Sequence, residues 1–519
     1  MLNLKTRLNN KTFSPDFYLL VVSVACVYFS TGYLYPDEHF QIVEFANALI
    51  GRGDFKNLAW EYGSKIRPWL QPWLASIFLK IGFWLTDSPF VALKVVKLFF
   101  ASLLFVSCVY YCRSDGSDID ELDSQERSWG RFFLPTSALL AQMIGRTSSE
   151  SFGTVWLFFC LGYMAKTFTS KRNEGAIQHL VCGAFCALMF YSRLQMGFVY
   201  AAIGIWLLVV RRSRPLHLIA NVSGFLIIAA ACTALDSWLY GDLVLTPFRY
   251  FKSNILEGVA SNFGVSPWYG YFVEFNSTFR AITGGLSFIS MAALIWKKPK
   301  SILAWIFWAF VIGHSLVAHK EERFLFPVLM LAPMSWAYGV EVLGNFLQRL
   351  GVSVINRTSI CYFLIIANCL VGLIWATRPF KRYGMLEELD TEARRNRQTV
   401  CVNWGISPSA TPSKLPAVPG FYHSPALKII QVMASNNLEN GPDGCAALKD
   451  FVYWYEIRKM PTALYFNQIT VEDDHKTCEP NNFWDRVFLK TLGKENLQKA
   501  NQALGQTQEQ VFWWKCTRR

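Results

Sequence analysis

The sequence carries little charge for its size. Asp, Glu, Lys and Arg make up 17% of 519 residues, against about 25% in soluble domains. That shortfall argues against a water-soluble chain. The 13 cysteines include no C-x-x-C pair, so the familiar zinc and redox spacings are missing. Most of them fall in or beside apolar stretches, where cysteine behaves as a small apolar residue. No internal repeat is evident, and no small-residue cleavage site follows the first apolar run, Phe17 to Leu34. That run is therefore expected to remain as a membrane span. The net charge of +13 has no basic stripe behind it. Its residues sit in short clusters between apolar runs, which excludes a nucleic-acid partner.

What the chain has in quantity is apolar surface: 52% hydrophobic and 16% aromatic residues. Apolar stretches occupy 17–34, 69–86, 90–112, 151–169, 176–192, 194–210, 216–236, 280–296, 301–318, 323–344 and 357–377. Each is long enough for a hydrocarbon core of about 30 Å. The expected architecture is a mainly α, polytopic membrane protein with about eleven transmembrane helices, followed by a small soluble α/β domain. The boundary is placed between 1–378 and 379–519. Segment 133–148 reads as re-entrant or interfacial.

Basic clusters set the orientation. Lys5, Arg7 and Lys11, then Lys171 with Arg172, then Arg211, Arg212 and Arg214, then Lys297, Lys298 and Lys300 all fall on one side. The positive-inside rule makes that side cytosolic. Loops 35–68, 237–279 and 319–322 and the tail then share the far side. The acidic stretch 113–130 reads as a solvated loop. The tail has Trp404, Trp454, Trp484, Trp513 and Trp514, an apolar helical stretch near 425–434, and Cys401, Cys445, Cys478 and Cys516. A lumenal or periplasmic tail of this kind is expected to hold one or two disulfides of unassigned pairing. Asn276-Ser277-Thr278 is a glycosylation triplet on the same side.

Ionisable residues at membrane helix ends are costly and persist mainly where they function or pair. Three groups stand out. Tyr35-Pro36-Asp37-Glu38-His39-Phe40-Gln41 follows the first span. Its adjacent carboxylates suit a general base or a cation; a helix start with Pro and acids in its first turn gives the same pattern. His319-Lys320-Glu321-Glu322-Arg323 lies between two apolar runs. It reads as a polyanion site, with Lys and Arg on phosphate, or as charges paired among themselves. Asp236 to Tyr271 holds Lys252, Asn254, Trp268 and Tyr269, a set suited to sugar stacking or to an interfacial aromatic belt.

HKEERFLFP at 319–327 resembles the signature of glycosyltransferase family 22, the GT-C-fold mannosyltransferases that use dolichyl-phosphate mannose. PDEHFQ at 36–41, Trp60-Glu61-Tyr62 with Ile66-Arg67-Pro68, Arg146-Thr147 and the Thr246-Pro247-Phe248 block resemble further family segments. The resemblance covers about residues 15–340, and the PDEHFQ and Trp60-Glu61-Tyr62 blocks look most similar to the GPI mannosyltransferases. The chain departs from the family at Ser192-Arg193-Leu194-Gln195, where eukaryotic members read R-P-T, and at Pro68. A bacterial member using a polyprenyl-phosphate sugar stays open.

The resemblance implies an inverting transfer of mannose from a lipid phosphate to a glycolipid acceptor, at the lumenal face of the endoplasmic reticulum or its periplasmic equivalent. The base is assigned to Asp37, with Glu38 as the alternative. The donor phosphate falls to His319, Lys320, Arg323, Arg67 and Lys252. Substrate contacts fall to His39, Gln41, Glu61, Asp236, Asn254, Trp268, Tyr269, Glu321 and Glu322. A lipid monophosphate, unlike a sugar nucleotide, has no diphosphate to neutralise, so no cofactor and no essential metal are expected. A lipid or ion transporter is the competing class.

Overall fold

The computed structural model describes residues 14–168, 174–273, 278–351, 356–377 and 381–395, and in the tail short segments within 400–518. Lys171, Arg172, Asn276 and Cys445 lie outside the described residues. The chain divides into two compact units. One comprises Met1–Lys80 with Lys94–Arg378, the other Ile81–Leu93 with Pro379–Arg519.

The first unit is helical. Every one of the apolar stretches expected to span is a helix or mostly so. Among the described residues four helices are long and apolar enough to cross a membrane: Pro89–Arg113, Pro215–Tyr240, Glu322–Arg349 and Arg357–Thr377. Pro15–Phe29, Leu70–Leu85, Ala176–Ser192, Leu194–Val210, Ile282–Lys297 and Ile302–Ser315 are apolar but shorter. The shortening has local causes. Leu194–Val210 is a 3-10 turn, an α segment and a π segment in series. Pro15–Phe29 ends early because Ser30 to Tyr35 leave the helix, and the buried Lys97 ammonium caps the freed backbone by donating to the Ser30 and Gly32 carbonyls.

Segment 133–148, expected to be re-entrant or interfacial, is broken rather than one continuous helix. Helix Ser124–Thr136 stops at Ser137, and the short helix Ala138–Met143 follows. The Ala138 amide orphaned by the break donates to Asn368 Oδ1 at 3.1 Å. The acidic stretch before it is less solvated than expected: Asp120 is buried and paired with Arg127 Nη2 at 2.5 Å.

Helices Ala176–Ser192 and Pro215–Tyr240 approach so closely that a Cβ at Gly183 or Gly224 would collide with the facing carbonyl of Asn221 or Leu180. Glycine here permits backbone contact between helices, the usual device of membrane packing.

The second unit has helix Lys381–Arg395 and a six-stranded mixed sheet of order β2-β1-β3-β6-β5-β4. The strands are β1 (Val400–Trp404), β2 (Leu427–Ile430), β3 (Tyr453–Pro461), β4 (Val471–Asp473), β5 (Lys476–Pro480) and β6 (Glu509–Arg518). The helix expected near 425–434 is therefore corrected: its described part is strand β2, parallel to β1. A short apolar run cannot be told from a buried helix by periodicity alone. In the β5–β6 ladder Cys478 stands directly opposite Cys516.

Candidate functional site

Tyr35 is extended, and Pro36 opens a one-turn helix, Pro36–Glu38, with Asp37 and Glu38 in its first turn. Proline supplies the helical φ in advance and lacks only an amide that the helix start leaves unpaired. A π segment, His39–Val43, follows, and such insertions often mark functional sites. The Thr147 hydroxyl donates to the Glu38 carbonyl at 2.9 Å and fixes the turn from a different part of the chain. On the opposing side Glu321 is extended and Glu322–Leu325 forms a 3-10 turn.

These two turns meet. Arg323 Nη2 lies 3.0 Å from Asp37 Oδ2. The same guanidinium grips Glu321 with Nε at 2.7 Å and Nη2 at 3.0 Å. It also lies over the Tyr35 ring, 4.9 Å from its centre. Arg323 is buried, while the Asp37 and Glu321 side chains are each about one-third exposed. Burial alone would raise the Glu321 carboxyl, but Arg323 and His319 outweigh it and hold the group below its ordinary range.

Glu38 points elsewhere. It is buried, with Oε2 accepting from the Leu34 amide at 3.4 Å and Oε1 facing no partner among the described residues. Burial pushes its carboxyl up, and Arg146 and Lys97 only partly oppose this. His39 is buried and pairs with Glu44 at 3.2 Å; burial lowers its imidazole. Gln41 donates to Glu61 Oε1 at 2.8 Å, and Glu61 also receives Arg67 Nη2 at 3.5 Å.

A polar cavity opens beside these residues. It is lined by Gln41, Arg67, Gln71, Arg193, Gln195 and Tyr250, among others. Arg193 is buried, pairs with Glu150 Oε1 at 2.8 Å, and leaves Nε and Nη2 without a partner among the described residues. Arg67 Nε and Arg323 Nη1 are likewise unpartnered there. The Phe324 ring connects the two arginines, with Arg193 5.1 Å and Arg323 5.5 Å from its centre. A buried donor without an acceptor costs about 1–3 kcal/mol, more when charged. Several on neighbouring cations make a cradle that a ligand rich in acceptor oxygens would satisfy.

Other expected residues sit differently. Lys320 Nζ donates to the Val317 and Ser266 carbonyls at 2.6 and 3.1 Å, so its charge braces the loop. His319 bridges the Gly264 carbonyl and Glu321, each at 3.1 Å. Glu322 lines a separate cavity with Gln142, Ser287 and Trp336. Asp236 is fully buried. Its carboxylate receives the Trp69 amide at 2.7 Å and the Thr246 hydroxyl at 2.7 Å, which tie the helix end to two loops. Both Asp236 oxygens are thus occupied by groups of the chain itself. Lys252 is exposed and 3.5 Å from Glu257, Asn254 donates to the Tyr250 carbonyl, and Trp268 and Tyr269 are exposed. None of these four shows a contact to the Asp37–Arg323 pair.

The sequence reading missed Arg193 and Glu150 as site residues. Their signal was a buried charge inside an apolar run, Arg193 standing between the helices 176–192 and 197–205. Such a residue is a functional candidate by cost alone.

The Alg9-like mannosyltransferase family model matches residues 16–411, most of the chain. The chain belongs to the Alg9-like mannosyltransferase family. Among similar members, mannosyltransferase APTG1 of Arabidopsis thaliana is 26% identical over 330 residues, covering 60% of this chain and 56% of that one. GPI mannosyltransferase 3 of Yarrowia lipolytica is 26% identical, covering 59% and 58%. Human GPI alpha-1,2-mannosyltransferase 3 is 25% identical, covering 63% and 58%. The chain thus spans less than three-fifths of the length of these relatives. Among solved structures, ArnT from Cupriavidus metallidurans bound to undecaprenyl phosphate superposes with a TM-score of 0.51 at 12% identity, covering 87% of this chain and 93% of ArnT. That likeness shows the GT-C fold. This Alg9-like chain is a multi-pass membrane protein of that fold.

Proposed function

We propose that this Alg9-like protein transfers mannose from a polyprenyl (dolichyl) phosphate to a glycolipid acceptor such as a GPI precursor, with inversion, at the lumenal face of the endoplasmic reticulum. The observation that carries the reading is the partly exposed Asp37 carboxylate held 3.0 Å from Arg323, beside a cavity lined by further arginines. Inversion needs a base on one side of the sugar and charge stabilisation on the other. Asp37 takes the proton of the acceptor hydroxyl as that oxygen bonds to the anomeric carbon. The lipid phosphate leaves with the bonding electrons, and its growing charge falls on guanidinium groups. Arg323 orients the base and, with Arg193 and Arg67, meets the phosphate. Lys320 and His319 shape the loop that presents Arg323. Glu38 is too buried to reach an acceptor.

Arginine suits this task because its planar fork matches phosphate oxygens and its charge persists when buried. A monophosphate donor puts no diphosphate in need of a divalent ion, so the reading includes no essential metal in the transfer. The relatives named as GPI mannosyltransferases support a mannosyl transfer to a GPI precursor.

The test is direct. Purified protein in lipid nanodiscs is given dolichyl-phosphate mannose and a short mannosylated glycolipid, with GDP-mannose as a parallel donor. The expected result is an acceptor one hexose heavier with the lipid donor only. No product with the lipid donor, or product from the nucleotide alone, rejects the proposal.

A further inference from the structure

The thiol spacing that looks uninformative along the chain becomes a cluster in space. Cys160 comes from helix Ser149–Thr167, and Cys182 and Cys186 from helix Ala176–Ser192. Their Sγ atoms all lie within 4.8 Å of one another, and all three residues are buried free thiols. Cys160 Sγ is 3.7 Å from Cys182 Sγ and 4.0 Å from the Met164 thioether, itself buried. Two thiolates each about 2.3 Å from a tetrahedral zinc are separated by about 3.8 Å. The observed spacing is already that of a ligand pair.

A second donor set stands above the first. Glu174, His179 and His217 also place one ligand atom each within 4.8 Å of one another. His179, Cys182 and Cys186 are spaced i, i+3, i+7 and so share one face of their helix. His179 Nε2 is 3.3 Å from Glu174 Oε2, the His179 and His217 rings stack at 4.7 Å, and buried His179 Nδ1 has no partner among the described residues. Arg211 holds the other Glu174 oxygen. The imidazole and carboxylate groups are themselves buried, and His179 lies one to two helical turns from the sulfurs along the same helix face.

We infer that Cys160, Cys182 and Cys186, with Met164 beside them, bind a soft d10 cation, Zn²⁺ or Cu⁺, next to the Glu174, His179 and His217 donor set. Thiolate and thioether donors select these ions over Mg²⁺ or Ca²⁺. For Zn²⁺, two thiols form metal–sulfur bonds and release two protons to water. Metal charge and thiolate charge then cancel, which a site inside hydrocarbon requires. For Cu⁺, one proton leaves. Each remaining thiol stays protonated against the bound ion, and the Met164 thioether is the neutral sulfur donor. Cys186, the nearest of the three, lies six residues before Ser192, roughly 9 Å along the helix from the arginine-lined cavity. The ion is therefore a clamp between two helices and no part of the transfer chemistry.

The test is metal content of the purified full-length chain by inductively coupled plasma mass spectrometry, which also separates zinc from copper. The expected result is one equivalent of zinc or copper per chain, reduced at least tenfold in Cys182→Ser/Cys186→Ser and unchanged in Cys361→Ser, a buried thiol in another cluster. Because the double variant can fail to fold, the metal-stripped wild type is also titrated with Co²⁺. The site predicts a sulfur-to-cobalt charge-transfer band, lost in the milder variant Cys160→Ser. A wild-type chain with neither bound metal nor that band, or a metal content indifferent to all three thiols, overturns the inference.

Discussion

Arg323 reaches Asp37 across 3.0 Å while keeping both nitrogens of one edge on Glu321. Two carboxylates from opposite ends of the helical unit thus share one guanidinium. A pair of this kind fixes where the Asp37 carboxylate points without removing it from solvent. It also leaves one Arg323 nitrogen, Nη1, for an incoming oxygen. The following expectations grow from this arrangement.

Arg193 should govern donor affinity. A hydrogen bond to a charged group contributes about 1.5–3 kcal/mol, which corresponds to roughly ten- to a hundredfold in binding. Arg193→Ala should raise KM for the lipid-phosphate donor by that factor, with the acceptor KM little changed. Arg193→Lys should recover only part, because a point charge lacks the fork. Equal effects on both substrates in steady-state kinetics would remove Arg193 from the donor site.

Asp236→Ala should act on folding. It strips the acceptors from the Trp69 amide and the Thr246 hydroxyl, and each buried donor left unpaired costs about 1–3 kcal/mol. Thermal unfolding in detergent should begin several degrees lower, while KM values in the surviving enzyme hold. An unchanged melting profile with lost activity would return Asp236 to the catalytic group.

Much of this was legible in the sequence, and the rest had a physical reason to be hidden. The helices follow from apolar length, and the meeting of Asp37 with the 319–323 run agrees with the expectation that their two loops share one side. Lys320 misled because a basic residue in a charged run looks like a phosphate ligand; only coordinates show its ammonium on two carbonyls. Arg193 entered only as part of a departure from the family pattern; its burial against Glu150 shows in the coordinates alone. Asp236 looked like substrate chemistry because sequence does not reveal that its partners are an amide far along the chain and a neighbouring hydroxyl. Strand β2 was read as helix because a four-residue segment, Leu427, Lys428, Ile429 and Ile430, is too short to show a period of its own.

Glu38→Gln separates the two adjacent carboxylates. Burial raises the folded-state Glu38 carboxyl, so the folded protein holds that proton longer than the unfolded chain. Stability contributed by the residue is then present at acidic pH and declines as pH rises through the ordinary carboxylate range toward the raised folded value. The variant lacks this decline. Its melting temperature relative to wild type should climb from acidic to neutral pH, with transfer largely kept. A transfer loss as deep as that of an Asp37 variant would instead move the base to Glu38.

A strong chelator added to the transfer assay should leave the initial rate unchanged, since a monophosphate donor asks for no divalent ion. Loss of rate restored by Mn²⁺ or Mg²⁺ would show a metal-dependent donor step.

The most direct measurement is single-turnover transfer by Asp37→Asn alongside its affinity for the donor. The substitution keeps the side chain's shape and removes the proton acceptor. We expect the rate to fall by at least about a hundredfold while donor binding stays within a few-fold of wild type. Near-normal turnover, or a rate loss explained wholly by lost donor binding, would contradict the assignment of Asp37 as the base.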